Sequence, residues 1–224
     1  KAPVKKTVPA KTVVAAPALK NSLDSFSYAA GLNIASSMKQ QGITDINGAM
    51  VQRAMDDVFK KRTALLTEEQ AGMTLQQKLQ EFTQKKMGAE KAKGQAFLDA
   101  NKKKPGVTAL PNGLQYEVLK AGDANGAKPT AADTVVVHYA GTLIDGTKFD
   151  NSYDRGEPAT FPLNRVITGW TEILQLMTKG AKWKVAIPSE LGYGERGSGA
   201  IGPNATLLFE IELLDIKPAV PVTQ

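Results

Sequence analysis

The chain has 224 residues, 42% hydrophobic and 22% charged, with no cysteine and one histidine, which excludes disulfides, thiolate nucleophiles and cysteine metal sites. Its net charge of +6 is unevenly spread: residues 1–104 hold 18 Lys/Arg against 9 Asp/Glu (+9) and residues 105–224 hold 10 against 13 (−3), so the halves read as separate units. No run approaches the roughly 18 apolar residues of a membrane helix, so no transmembrane segment is expected, and the start at Lys1 rather than Met fits a mature, trimmed or excised chain.

Residues 1–20 combine Lys, Ala, Pro, Val and Thr, and Pro3, Pro9 and Pro17 oppose helix, so a flexible tether is expected. From Ser22 the pattern turns helical, with Leu23, Phe26, Ala30 and Ile34 on one face and a stop at Gln41-Gly42. A second helix is expected from Thr44 or Asp45, carrying the stripe Met50, Val51, Ala54, Val58 and Phe59. Thr67-Glu68-Glu69-Gln70 matches a capping box and opens a third helix running to about Lys102, weakened by Gly72, Gly88 and Gly94. Leu75, Leu79 and Phe82 give it an apolar edge that fades between Gln84 and Gln95, the pattern of a solvent-bridging helix. Pro105-Gly106 ends it. The regions are thus 1–20 tether, 21–66 helical, 67–104 connecting helix, 105–218 a β-rich domain and 219–224 tail. Short helices with Met- and Ala-rich faces bury little alone, so self-association through residues about 21–80 is expected.

After Gly106 the period changes to two. Leu114–Val118, Thr134–Tyr139, Lys182–Ile187 and Leu207–Leu213 alternate as half-buried antiparallel strands, with Leu207, Phe209, Ile211 and Leu213 on one face and Glu210 and Glu212 on the other. Asp145-Gly146 signals a hairpin. Gly169–Met177 reads as one short helix with Trp170, Ile173, Leu174 and Met177 inward, so the fold class is α+β: an antiparallel sheet on a short helix, preceded by an all-α region.

Ordinary catalysts are missing. His138 lies in a strand, opposite in direction to Val137 and Tyr139, and one histidine without cysteine makes no zinc site. The Gly-rich stretch Gly192–Gly202 lacks the Gly-Lys-Ser/Thr ending of a phosphate loop and opens no helix. No aromatic–basic interleaving in the basic half supports nucleic-acid binding. What remains is a set of apolar and aromatic residues at strand ends and loops: Tyr139, Phe149, Phe161, Val166, Ile167, Trp170, Tyr193, Ile201 and Phe209, beside Asp150 and Arg155.

The stretch Val135–Ile216 resembles the FK506-binding-protein (FKBP) isomerases throughout. The carriers are Val-Val-His-Tyr-Ala-Gly-Thr-Leu-Ile-Asp-Gly-Thr-Lys-Phe-Asp-Asn-Ser (136–152), Arg-Gly-Glu-Pro from Arg155, Val-Ile-Thr-Gly-Trp (166–170), Ile-Pro-Ser-Glu-Leu-Gly-Tyr-Gly (187–194) and Pro-Asn-Ala-Thr-Leu-Leu-Phe-Glu-Ile-Glu-Leu-Leu (203–214). The resemblance implies about five strands wrapped on a short helix, and catalysis of cis/trans rotation about X-Pro bonds with no cofactor. It implies a proline pocket of Tyr139, Phe149, Asp150, Phe161, Val166, Ile167, Trp170, Tyr193 and Phe209, with Trp170 as floor. Tyr193 hydroxyl and Ile167 N–H would hold substrate carbonyls, and Asp150, positioned by Arg155 and Tyr139, would face the reacting amide. Ile201 would add a substrate contact, and tacrolimus or rapamycin would be inhibitors.

Three features depart from that family's pattern: Ile173 stands where Gly is usual, Thr168 replaces the usual Pro or Arg, and the loop Glu195–Gly202 is short, with Ala200 and Gly202 at larger positions. Ile173 keeps open a second reading, a module that grips proline segments or unfolded chains without turnover. Phe-Ser-Tyr-Ala-Ala-Gly-Leu-Asn-Ile-Ala-Ser-Ser-Met from Phe26 also resembles the N-terminal helices of macrophage-infectivity-potentiator-type periplasmic FKBPs. That likeness implies a V-shaped homodimer, export to the periplasm or outer membrane, and chaperone activity on unfolded, proline-containing chains.

Overall fold

A computed structural model describes residues 18–219. The expected tether, up to residue 17, and the tail beyond residue 219 lie outside the described residues. The described residues divide into two compact units, with the boundary between 82 and 83.

The first unit is helical. Helix α1 (Ser22–Gln40) starts where the Asn21 side chain accepts the Asp24 N–H at 2.8 Å, and it ends at Gly42, whose φ of 89° lets the chain reverse. Helix α2 (Gly48–Phe59) begins later than the expected start at Thr44 or Asp45, because Asn47 rather than an earlier residue caps it by accepting the Met50 N–H. Among the described residues neither helix buries an apolar side chain: Phe26 is 72% exposed and Phe59 83%.

Helix α3 (Glu68–Asn101) opens with the expected capping box. The Thr67 N–H donates to the Gln70 side chain at 3.0 Å and the Gln70 N–H to the Thr67 hydroxyl at 3.2 Å. Its second half belongs to the second unit and is not the solvent-bridging rod that the fading stripe predicts. Met87, Glu90, Gly94, Leu98 and Asn101 recur every three or four residues as the covered face. The face is made of a glycine, polar residues and backbone, which a hydropathy pattern does not register. Asn204 Nδ2 donates to the Met87 carbonyl at 3.3 Å, Lys91 pairs with Glu190 at 2.7 Å, and Gly94 lies so close to Thr206 that a Cβ would collide with its hydroxyl. The buried Gln115 donates to the Leu98 carbonyl at 2.9 Å and accepts from the Asn101 amide at 3.0 Å.

The rest of the second unit is a seven-stranded antiparallel sheet, two strands more than the five or so implied by the resemblance. The strands are β1 (Val107–Ala109), β2 (Gln115–Lys120), β3 (Thr134–Leu143), β4 (Lys148–Asn151), β5 (Ala159–Pro162), β6 (Lys182–Ile187) and β7 (Leu207–Lys217). Their order is β1-β2-β6-β7-β3-β4, with β5 also paired to β3. Helix α4 (Thr168–Leu174) lies against the inner face, and Trp170, Ile173, Leu174 and the following Met177 are buried on β3, β6 and β7 as the periodicity predicts. The outer face is polar: Lys182 pairs with Glu210 at 2.6 Å, and the His138 ring stacks on Tyr153 at 4.5 Å.

Gly94 and Gly88 provide a paired test of the α3 seat. Alanine raises helix propensity by about 1 kcal/mol at either site. At Gly88 its Cβ meets nothing within 4 Å, whereas at Gly94 it meets the buried Thr206. Gly88→Ala is expected to leave or raise stability, and Gly94→Ala to lower it by about 1–3 kcal/mol from overpacking. Urea unfolding of both variants measures the difference.

Candidate active site

The ladder between β3 and β7 sets the site. Pairing of Tyr139 with Ile211 and of Gly141 with Phe209 puts these residues on the inner face, opposite α4. Trp170 sits in the first turn of α4. The preceding 3-10 turn Leu163–Arg165 is anchored on both sides: the Leu163 N–H donates to the Asp133 carbonyl at 2.9 Å, and the Thr171 hydroxyl to the Leu163 carbonyl at 2.8 Å. The extended link Val166–Ile167 therefore has a fixed course. Together these elements enclose a cavity of about 420 Å³ lined by Tyr139, Asp150, Phe161, Arg165, Val166, Ile167, Trp170, Tyr193 and Phe209.

Trp170, 4% exposed, is the centre of an aromatic box. Tyr139, Phe161 and Phe209 approach it edge-on, at centroid distances of 5.0, 5.7 and 5.2 Å and interplanar angles of 87°, 85° and 78°. Edge-to-face packing suits the ring quadrupoles and holds each ring in one orientation. Phe149 meets Phe209 edge-on at 5.4 Å. Both need the missing side chain of Gly141, where a Cβ would stand 2.6 Å from Phe149 and 2.9 Å from Phe209.

One polar cluster enters this apolar wall. The Tyr139 hydroxyl donates to Asp150, and Arg155 donates to both, at 2.6 Å to Asp150 and 2.9 Å to the Tyr139 oxygen. Partial burial pushes the Asp150 carboxyl up, but the Tyr139 hydroxyl and the Arg155 guanidinium outweigh it and hold the pKa below the usual 3.8. Burial, then the Asp150 hydrogen bond, raises the Tyr139 hydroxyl above its ordinary 10.0, and the hydrogen bonds to Asp150 and then to Tyr139 raise the Arg155 guanidinium. At neutral pH the cluster is a carboxylate, a neutral phenol and a guanidinium. The stabilisation due to Asp150 is present above the ordinary carboxylate pKa and disappears as pH falls through its lowered folded value. The Ile167 N–H has no intramolecular acceptor among the described residues.

Of the residues expected at a site, the structure brings Tyr139, Asp150, Phe161, Val166, Ile167, Trp170, Tyr193 and Phe209 to the cavity. Phe149 and Arg155 support its wall through Phe209 and Asp150, and Ile201 is buried at a two-residue bridge to Ser198. Arg165 lines the cavity and was not anticipated; its position directly before Val166-Ile167 was the available signal. Ile173 is fully buried in the core and is not among the lining residues, so the feature that kept a non-catalytic reading open does not reach the cavity. His138 lies on the outer sheet face with Nδ1 3.0 Å from the buried Ser152 hydroxyl, which also accepts the Tyr139 N–H at 2.8 Å.

Comparison with known proteins agrees in both halves. Residues 125–214 match the family model of FKBP-type peptidyl-prolyl cis-trans isomerases, and residues 23–118 match the domain amino-terminal to them. The chain is 47% identical to "Outer membrane protein MIP" of Legionella longbeachae over 213 residues, covering 91% of this chain and 90% of the relative. It is 49% identical to the FKBP-type isomerase FkpA of Aeromonas hydrophila over 207 residues, covering 86% and 76%. Among solved structures it resembles FkpA from Escherichia coli with a TM-score of 0.72 at 39% identity, over 91% of this chain and all of that one.

Replacing Arg155 with Gln removes a cation from both neighbours. The Asp150 pKa is then expected to rise and the Tyr139 pKa to rise further, since Arg155 lowers both. Carboxyl-carbon NMR titration of Asp150 in the two proteins reads the first shift. An unchanged Asp150 titration would contradict the assigned cause.

Proposed function

Given that this chain belongs to the FKBP-type peptidyl-prolyl cis-trans isomerase family and is an enzyme of that class, we propose that the cavity around Trp170 seats the prolyl ring and lowers the barrier to rotation about the preceding bond. The observation that carries this reading is a cavity of about 420 Å³ walled by five aromatic side chains, with one charge-paired carboxylate in its lining. An X-Pro bond is held planar by resonance, and twisting it costs roughly 18–20 kcal/mol in water. No covalent bond has to break. The twisted amide is less polar than the planar one, so an apolar pocket favours it over the hydrated ground state, which is differential binding of the transition state.

Trp170 is the floor on which the pyrrolidine ring lies, and Phe161 and Phe209 are its sides. The unpaired Ile167 N–H and the hydroxyl of Tyr193, 40% exposed, are the donors for substrate carbonyls. Asp150, held by Tyr139 and Arg155, orients the amide by polar contact and transfers no proton, in keeping with its lowered pKa.

The exposed faces of α1 and α2 support a homodimer through residues about 21–80, paired helix to helix. The name of the Legionella relative supports an exported protein at the periplasm or outer membrane. Among the described residues no helix is long and apolar enough to cross a membrane. In that setting unfolded, proline-containing chains are the clients.

Catalysed cis-to-trans conversion of a short Leu-Pro peptide tests the enzyme reading, with Trp170→Leu as the key variant. Losing a ring-sized apolar contact of about 1.5–3 kcal/mol should lower kcat/KM on the order of 10- to 100-fold. Unchanged turnover in a folded Trp170→Leu protein would remove the assigned floor. Sedimentation of the full chain should give twice the chain mass, and a charge at Phe26 or Phe59 should return it to monomer.

A further inference from the structure

Arg165 is a cavity residue to which the pocket chemistry assigns no task. It ends the 3-10 turn Leu163–Arg165, whose base is pinned by the fully buried Leu163, yet its own side chain is exposed. Among the described residues no carboxylate stands within ion-pairing distance of its guanidinium, and it lies over no aromatic ring. The other charges at the site cancel: Asp150, the carboxylate of the lining, is held by Arg155 at 2.6 Å. The cavity lining therefore presents one uncommitted positive charge, in a half of the chain that carries 10 Lys/Arg against 13 Asp/Glu. Beside low-dielectric aromatic walls such a charge is screened less than on an open surface, and its field is focused along the cleft.

We propose that Arg165 is a specificity-determining residue: it makes the enzyme favour prolyl bonds with an acidic side chain next to the proline, and disfavour basic ones. The inference rests on the isomerase reading and deepens it by naming a substrate class. A fully extended chain advances about 3.3–3.6 Å per residue, so the residue directly before or after a proline seated in the cavity lies within reach of a long guanidinium stem at the rim. Arginine keeps its charge at every working pH and can meet a carboxylate with two parallel N–H donors. The contact is exposed, so the preference is modest, about two- to fivefold in kcat/KM at low salt. Repulsion of lysine supplies the opposite half of the discrimination.

The test uses the full chain and peptides with neutral caps, carrying Glu, Gln, Lys or Leu directly before or directly after the proline. The Glu/Gln ratio of kcat/KM is taken within each protein, so a general loss of activity cancels. The expected ratio is about two- to fivefold at one of the two positions in dilute buffer, falling towards one at about 0.5 M salt, where the Debye length is only a few ångström. It should be one in Arg165→Gln, below one in Arg165→Glu and largely kept in Arg165→Lys. Equal ratios in the unaltered protein and Arg165→Gln, a ratio indifferent to salt, or no preference at either position would overturn the assignment. Failure to turn over the Leu peptide at all would sink the isomerase reading and this proposal with it; turnover without charge discrimination sinks this proposal alone.

Discussion

Ten residue pairs join β3 to β7, and almost everything at the site inherits its position from their register. Side chains alternate across a sheet, so a slip of β7 by one residue against β3 would turn Phe209 to water and bring Glu210 to the face of Tyr139. A register shift between Val136 and Val137 absorbs one residue of β7, and beyond it the alternation that places Tyr139, Gly141 and Phe209 inward continues unbroken. Helix α4, with seven residues, is too short to hold itself in water and takes its orientation from the sheet beneath it. The aromatic box is thus a product of strand register first and of ring–ring geometry second.

Those parts that obey a simple period were legible in the chain. The alternation of β7, the inward residues of α4 and the Thr67–Gln70 cap all follow from local rules, and the ordered motifs from Val136 to Leu214 brought seven cavity residues with them, Phe161 lying between two of the motifs. The illegible parts have local patterns that mislead. Gln115 sits at a buried position because its amide is used twice by α3, which no hydropathy rule reveals. Strands β1 and β5 span three and four residues, below the length at which alternation can be recognised. Arg165 is an exposed charge next to a motif, and only the cavity distinguishes it from any other surface arginine.

The two units reach stability by different routes. The second has a contiguous core of aromatic and branched side chains. Among the described residues helices α1 and α2 bury no apolar side chain, while Leu23, Phe26, Val58 and Phe59 are each at least 70% exposed. A segment of that size with its apolar faces in water has little to offset the entropy of ordering, so its folding depends on covering those faces.

The seat of Gly94 on Thr206 has a practical meaning for dissecting the molecule. The seam between the units falls at 82/83, inside an unbroken helix, and not at Pro105-Gly106 where the sequence changes style. A fragment begun at Gly106 would be cut along the wrong line. Thr206, 4% exposed in the intact chain, and Asn204, 6% exposed, would lose their cover, and the Gln115 amide would lose both partners. These residues stand on β2 and at the entry to β7, so the loosened edge would lead straight into the strand that carries Phe209. A catalytic fragment that behaves like the whole should keep the last five turns of α3, as a keystone kept with its arch.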